Sequence, residues 1–281
     1  ENRNIHISPV YNGHIEPIVL SDAYGEVCFW LMPYVHPDSV GGFFADQTIR
    51  NAQDAAQAVI GEMRVDPNKR NVILSHQFII GGTTSDSERR NIGTLENVDA
   101  ALYDAFDYVA LGHIHRPQKM GKETLRYSGT PLKYSFSEVE HKKSVTIVEL
   151  LEKGNVQIST VPLVPLRDMR KVRGTYMEVT AKESYTAENK MDYLQITLTD
   201  EEDVPGALQK LRTIYPNLMR LEYDNKRTRD NREVQAVEAQ EQKSELELFG
   251  EFYELLNNEP MKEEQTEFME RLIQNLKEVQ A

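Results

Sequence analysis

Apolar positions in the first 165 residues fall into short runs broken by turn-forming residues, with helical spacing in one stretch. Residues 15–20 and 26–31 are β-rich runs on either side of Asp22-Ala23-Tyr24-Gly25, the pattern of two strands and a turn. Asp46 is a suitable N-cap for a helix carrying Ala55, Ala56, Val59, Ile60 and Met63 on one face. The run Asn71-Val72-Ile73-Leu74-Ser75-His76 predicts a strand, followed by a polar loop over 81–91 and a short helix over 95–106. Asp107-Tyr108-Val109-Ala110-Leu111 then reads as a buried strand running into Gly112-His113-Ile114-His115. Strands follow at 124–127, 144–150 and 156–161, the last two joined by a turn at Lys153-Gly154-Asn155.

Beyond a connector at 162–170, marked by Pro162 and Pro165, a smaller unit is predicted. It has strands at 176–180, 193–199 and 218–223 and a helix at 204–214. A charged stretch over 225–233 leads to two amphipathic tail helices broken at Asn257-Asn258-Glu259-Pro260. One carries Leu246, Phe249, Phe252, Tyr253 and Leu256, and the other Phe268, Met269, Leu272, Ile273 and Leu276. The fold class is α/β, divided into 1–163, 164–233 and 234–281.

Net charge is −13, which by itself argues against nucleic acid as a partner. Its distribution changes that picture. Residues 1–165 hold 15 basic and 20 acidic side chains, residues 166–233 hold 13 of each, and residues 234–281 hold 4 and 12. Most of the excess therefore lies in the tail, and composition neither requires nor excludes a DNA-binding groove. No apolar run approaches the roughly 20 residues of a membrane span. The single cysteine, Cys28, rules out an internal disulfide and fits the reducing cytoplasm.

The candidate chemistry is a histidine constellation. On an extended segment, residues two apart share a face, so His113 and His115 are expected to converge on one site, a metal-ligand pattern for neutral imidazoles. His76 stands at a second strand end; spacing alone favours a polar strand cap there over a ligand. His6, His14, His36 and His141 lack such context. Asp86, Asp104 and Asp107 are candidates to complete a site, and each is equally readable as a solvated loop residue. Arg89, Arg90, Arg116, Lys119 and Lys133 flank the histidine loops, as phosphate contacts or as ordinary surface.

Three segments carry a resemblance. Ser75-His76-Gln77-Phe78, Tyr108-Val109-Ala110-Leu111-Gly112-His113-Ile114-His115-Arg116, and Arg126-Tyr127-Ser128-Gly129-Thr130-Pro131-Leu132 with Ser135-Phe136-Ser137-Glu138 closely resemble the SbcD nucleases. That family belongs to the calcineurin-like metallophosphoesterase superfamily. The resemblance implies a partial metallophosphoesterase β-sandwich flanked by helices over 1–163, a small α/β capping domain over 164–233, and a helical hairpin over 234–281. It implies two divalent ions, manganese in the nucleases, with His76 and His113 on one and His115 on the other. It further implies hydrolysis of double-stranded DNA ends, exonucleolytic and endonucleolytic, in DNA repair, recombination and replication. The implied assembly is a homodimeric complex with an SbcC-type ATPase, docked through the tail helices.

The superfamily also supplies an Asp-x-His, a Gly-Asp and a Gly-Asn-His motif, normally ahead of the matched region. None occurs in this sequence, where Asn12-Gly13-His14 has the wrong order. The expectation is a C-terminal portion with no catalytic residue of its own, which binds metal poorly and is inactive alone. Two other classes stay open. One is a non-catalytic module that binds DNA and the ATPase. The other is a metallophosphoesterase acting on small phosphodiesters, against which the second domain and acidic tail argue.

Overall fold

A computed structural model describes residues 5–88, 96–186, 189–226, 228 and 229, together with residues 246, 249, 250, 253, 261, 262, 265, 266 and 268–273 of the tail. Its centre is a six-stranded sheet. β1 (Ile18–Asp22) and β2 (Gly25–Leu31) form a hairpin, and α1 (Pro37–Val40) and α2 (Ala52–Glu62) lead to β3 (Arg70–Ser75). The short strands β4 (Phe78–Ile79) and β5 (Asn97–Val98) pair with each other before β6 (Tyr108–Leu111), β7 (Gln118–Met120) and β8 (Lys122–Tyr127). The strand order is β1-β2-β3-β6-β8-β7, with β2, β3, β6 and β8 parallel and the edge strands antiparallel to their neighbours.

The two faces of this sheet are covered differently. Ala52, Ala55, Ala56, Val59 and Ile60 of α2 lie in one cluster with Trp30, Ile73, Val109, Leu111 and Leu125. On the other face Val27, Val72 and Tyr108 meet Val148, Leu150, Val156 and Ile158 from the hairpin of β9 (Ser144–Leu150) and β10 (Val156–Pro162). Fully burying one such aliphatic side chain stabilises by about 1.5–3 kcal/mol, so both layers anchor the sheet firmly. The result is a mixed α/β arrangement in which two sheets face each other and a helix covers the far side, as expected for a partial metallophosphoesterase sandwich.

The amino ends of the central strands are tied by polar groups. Asn71 Oδ1 accepts from Trp30 Nε1 at 3.1 Å, and Asp107 Oδ2 accepts from the Asn71 amide at 2.7 Å and Lys153 Nζ at 2.8 Å. The carboxyl ends of β3 and β6 are left for loops, the position where open α/β sheets carry ligands.

The remaining strands form a three-stranded sheet in the order β11 (Met169–Gly174), β12 (Tyr193–Leu198), β13 (Leu218–Tyr223), with α3 (Tyr176–Thr180) and α4 (Ala207–Ile214) between them in sequence. Leu194, Ile196 and Leu198 of β12 are buried. Two compact units are distinguishable: residues 1–172 with 182–196 and 210–220, and residues 173–181 with 197–209 and 221–281.

Several elements differ from the sequence reading. Residues 176–180 are a helix, not a strand, because Thr175 and Glu178 form a capping box, with Glu178 Oε2 accepting from the Thr175 amide at 2.7 Å. The first strand of that region is β11, which begins inside the connector expected over 162–170 and runs on to Gly174. The first long helix starts at Ala52 behind an Asn51 cap rather than at Asp46. The helix expected over 95–106 is a short strand followed by a 3₁₀ turn, Ala100–Tyr103, capped by Asp99. The tail helices fall largely outside the described residues.

Candidate metal centre

His76 follows β3 directly, and Gly112 follows β6, one strand over. The Gly112 amide donates to the Ser75 carbonyl at 2.9 Å, extending the sheet by one rung. A Cβ at Gly112 would stand 2.6 Å from His76 Nδ1, so only glycine lets the imidazole lie over this backbone. His113 then turns sharply, with φ +96, a conformation rare outside glycine. Ile114, 2% exposed, anchors the turn in the core. The His76 and His113 rings meet edge to face with centroids 5.4 Å apart, and Phe78 stands against His113 at 6.0 Å. Behind them, the Tyr127 hydroxyl donates to the Gln77 carbonyl at 2.7 Å and accepts from the Ile79 amide at 2.8 Å.

His115 occupies a different environment. Its Nδ1 lies 2.8 Å from Ser87 Oγ and 3.4 Å from Glu138 Oε1, and its ring packs edge-on against Tyr134 at 5.6 Å. The expectation that His113 and His115 share one face of a strand is therefore corrected. β6 ends at Leu111, and the positive φ at His113 cancels the alternation on which that expectation rested.

The loop holding His115 is built around a buried ion pair. Lys143 Nζ donates to Glu138 Oε2 at 2.6 Å, to the His115 carbonyl at 2.9 Å and to Thr130 Oγ1 at 2.8 Å. Glu138 is fully buried and also accepts from Ser87 Oγ and, at 3.3 Å, from the Tyr134 amide. Glu88 accepts from the His115 amide. A Cβ at Gly129, which has φ +76, would lie 2.7 Å from the His115 carbonyl, so this crossing also needs glycine.

Burial, and secondarily the neighbouring His113, lowers the pKa of His76; burial likewise lowers that of His113. Both rings are thus held neutral, the form in which imidazole ligates metal. Burial tends to raise the Glu138 carboxyl, yet hydrogen bonds from Lys143 and Ser87 outweigh it and bring the group down to about 2.

The pair His76–His113 fits a divalent ion as two ligands: the rings are adjacent and neutral, and His113 Nε2 is buried without a hydrogen-bond partner. Among the described residues no group of three or more His, Cys, Asp or Glu is arranged to hold one ion. His76 also borders an open depression of about 440 Å³ shared with His6, Ser8, Leu74, Gly112 and Ser128.

The other candidates are dispersed. Asp107 sits at the opposite end of the strands bound to Asn71 and Lys153, and Asp104 pairs with Lys122 at 2.9 Å. The Asp86 amide donates to Ser137 Oγ at 2.9 Å. Lys119 pairs with Glu123 at 2.8 Å and Lys133 with Asp168 at 2.9 Å; Arg116 is exposed, and Arg89 and Arg90 lie outside the described residues. His36 caps α1. Sequence reading passed over Ser87, Glu88, Tyr127 and Lys143, whose roles depend on contacts 27–50 residues away. No helix among the described residues is long and apolar enough to cross a membrane.

Comparison with known proteins finds relatives of this chain. The family described as Type 5 capsule protein repressor C-terminal domain, the SbcD C-terminal family, matches residues 165–256. The SbcD subunit of the nuclease SbcCD from Staphylococcus epidermidis (strain ATCC 12228 / FDA PCI 1200) is 35% identical over 224 residues, covering 79% of this chain. The match spans 59% of that relative's length.

Proposed function

The chain belongs to the SbcD family of nuclease subunits, and from that premise we propose that it forms one side of a metal-dependent nuclease site. His76 and His113 hold one divalent ion and His115 a second, with manganese as the expected metal. Bound there, such ions polarise phosphoryl oxygens, lower the pKa of a water and offset charge on the attacking and leaving oxygens. The substrate is a double-stranded DNA end, cleaved exo- and endonucleolytically in repair, recombination and replication. An SbcC-type ATPase is the partner, reached through residues 234–281, and the complex is dimeric and cytoplasmic.

The observation that carries this reading is the orphaned His113 Nε2, buried beside a second neutral imidazole. A buried polar atom without a partner costs about 1–3 kcal/mol, a cost that a ligand would offset. Within this site the chain's own residues bind and orient. β3 and β6 place the rings, Gly112 gives them room, and burial keeps them unprotonated. No residue of this chain is assigned as a catalytic acid or base, so the 281-residue chain alone is inactive in this reading.

A second reading, a non-catalytic module for DNA and partner binding, draws on the absence of a three-ligand group among the described residues. The two separate on one experiment. Manganese binding and DNA cleavage are measured for this chain and for the product of its full coding sequence. The nuclease reading expects cleavage only from the longer product and its loss in His76→Ala and His113→Ala. Cleavage by the short chain, or full activity in both variants, overturns it.

A further inference from the structure

The contacts of Ser87 fix the direction of every proton around His115. Glu138 is fully buried and pairs with Lys143 Nζ at 2.6 Å. Both side chains are buried, so the carboxylate is the anionic half of a closed ion pair with the Lys143 ammonium. An ionised carboxylate only accepts hydrogen bonds. Ser87, whose Oγ contacts Glu138 Oε1, must therefore give its single hydroxyl proton to that carboxylate. Toward His115 Nδ1, 2.8 Å away, Ser87 Oγ then has only lone pairs to offer. Glu138 Oε1, 3.4 Å from the same nitrogen, is a second acceptor.

We propose that Ser87, Glu138 and Lys143 are positioning residues that lock His115 as the Nδ1–H tautomer and leave Nε2 as its one ligating nitrogen. Lys143 serves this twice, since it balances the charge of Glu138 and holds the His115 carbonyl at 2.9 Å. Glu88 holds the His115 amide from the other side. The ring is thereby restrained through its backbone at both ends and through one of its two nitrogens. A hydrogen bond of this kind orients a metal-binding imidazole and raises the basicity of its free nitrogen. The consequence for metal rests on the proposed function, whereas the tautomer does not.

The test is long-range ¹H–¹⁵N NMR of the imidazoles in the chelator-treated 281-residue chain, with His115 identified by the loss of its signals in His115→Gln. The parent should give a protonated, pyrrole-type Nδ1 and a bare, pyridine-type Nε2 at neutral pH. Ser87→Ala, which leaves the Glu138–Lys143 pair intact, should shift both nitrogens toward intermediate values as the second tautomer becomes populated. Glu138→Gln should do the same, and the Ser87 variant carries the test if this one fails to fold. A bare Nδ1 in the parent, or unchanged His115 signals in Ser87→Ala, overturns the proposal. In the longer product, Ser87→Ala should weaken manganese binding by about 10–100-fold. A correct tautomer without metal binding there would reject the nuclease reading and leave this assignment standing.

Discussion

Gly112 and His76 occupy one another's space: a single added methyl on Gly112 would reach within 2.6 Å of His76 Nδ1. The imidazole lies on the backbone of the neighbouring strand end, and its position depends on a side chain that is not there. Gly112→Ala should therefore displace His76 and cost about 1–3 kcal/mol through overpacking. Urea denaturation gives the cost, and NMR contacts between the His76 and His113 rings report the displacement. Wild-type stability with those contacts intact would contradict the packing described.

His113 presents the opposite case, a residue held at the expense of the fold. Its Nε2 is buried and unpaired, so His113→Phe, which keeps a ring against Phe78 and removes that nitrogen, should hold or raise stability by up to about 1 kcal/mol. Manganese binding by the longer product should vanish in the same variant. A clear loss of stability would mean that the nitrogen has a partner in solution.

The Glu138–Lys143 pair should show strong coupling. Removing one member leaves a buried charge, so Lys143→Met or Glu138→Leu alone is expected to cost about 3–5 kcal/mol. The double variant should cost clearly less than the sum, as measured by a denaturation cycle. Additive losses would show that the two charges do not depend on each other.

Protonation gives a directional prediction for the metal-free protein. Burial depresses the imidazoles of His76, His113 and His141 below their ordinary value in the folded chain. The unfolded chain then binds more protons once pH falls below about 6.5. Stability should be highest above that pH and decline as pH falls through it, until the folded imidazoles themselves protonate. Glu138 adds stability that is present above its ordinary pKa of 4.5 and lost as pH falls toward about 2. Urea midpoints from pH 8 to pH 5 should fall in the parent and fall less in His76→Gln/His113→Gln. A flat profile in the parent would refute this.

For the tail, deletion of residues 234–281 should abolish co-purification with an SbcC-type ATPase while leaving the urea midpoint of the sheet domain unchanged. Retained binding would move the partner surface elsewhere on the chain.

The parallel strands were legible in the sequence because buried strands are continuous apolar runs, as in Val72-Ile73-Leu74 and Val109-Ala110-Leu111. The metal-ligand candidates were legible as residue types but not as an arrangement. Periodicity placed His113 and His115 together, whereas one positive φ after Gly112 directs them to separate partners, and brings His113 to His76 instead. Thr175 and Glu178 have capping-box spacing, whereas Tyr176, Val179 and Thr180 favour a strand, and the fold follows the cap. Lys143 gave no local signal at all. A lysine before a strand reads as surface, and only the fold brings it to Glu138, Thr130 and the His115 carbonyl.

The Tyr127 phenol has a wider consequence. Tyr127 pairs in register with Leu111, the residue just before Gly112, and its hydroxyl grips the backbone at Gln77 and Ile79, just beyond His76. One side chain thus gauges both strand ends at once. The spacing of the two imidazoles therefore depends on the alignment of β8 against β6 as well as on the turn at His113, so a one-residue slip between those strands would carry the His76 loop out of step with His113. Mutations far from the histidines that loosen this alignment should detune the centre while leaving all of its ligands in the sequence.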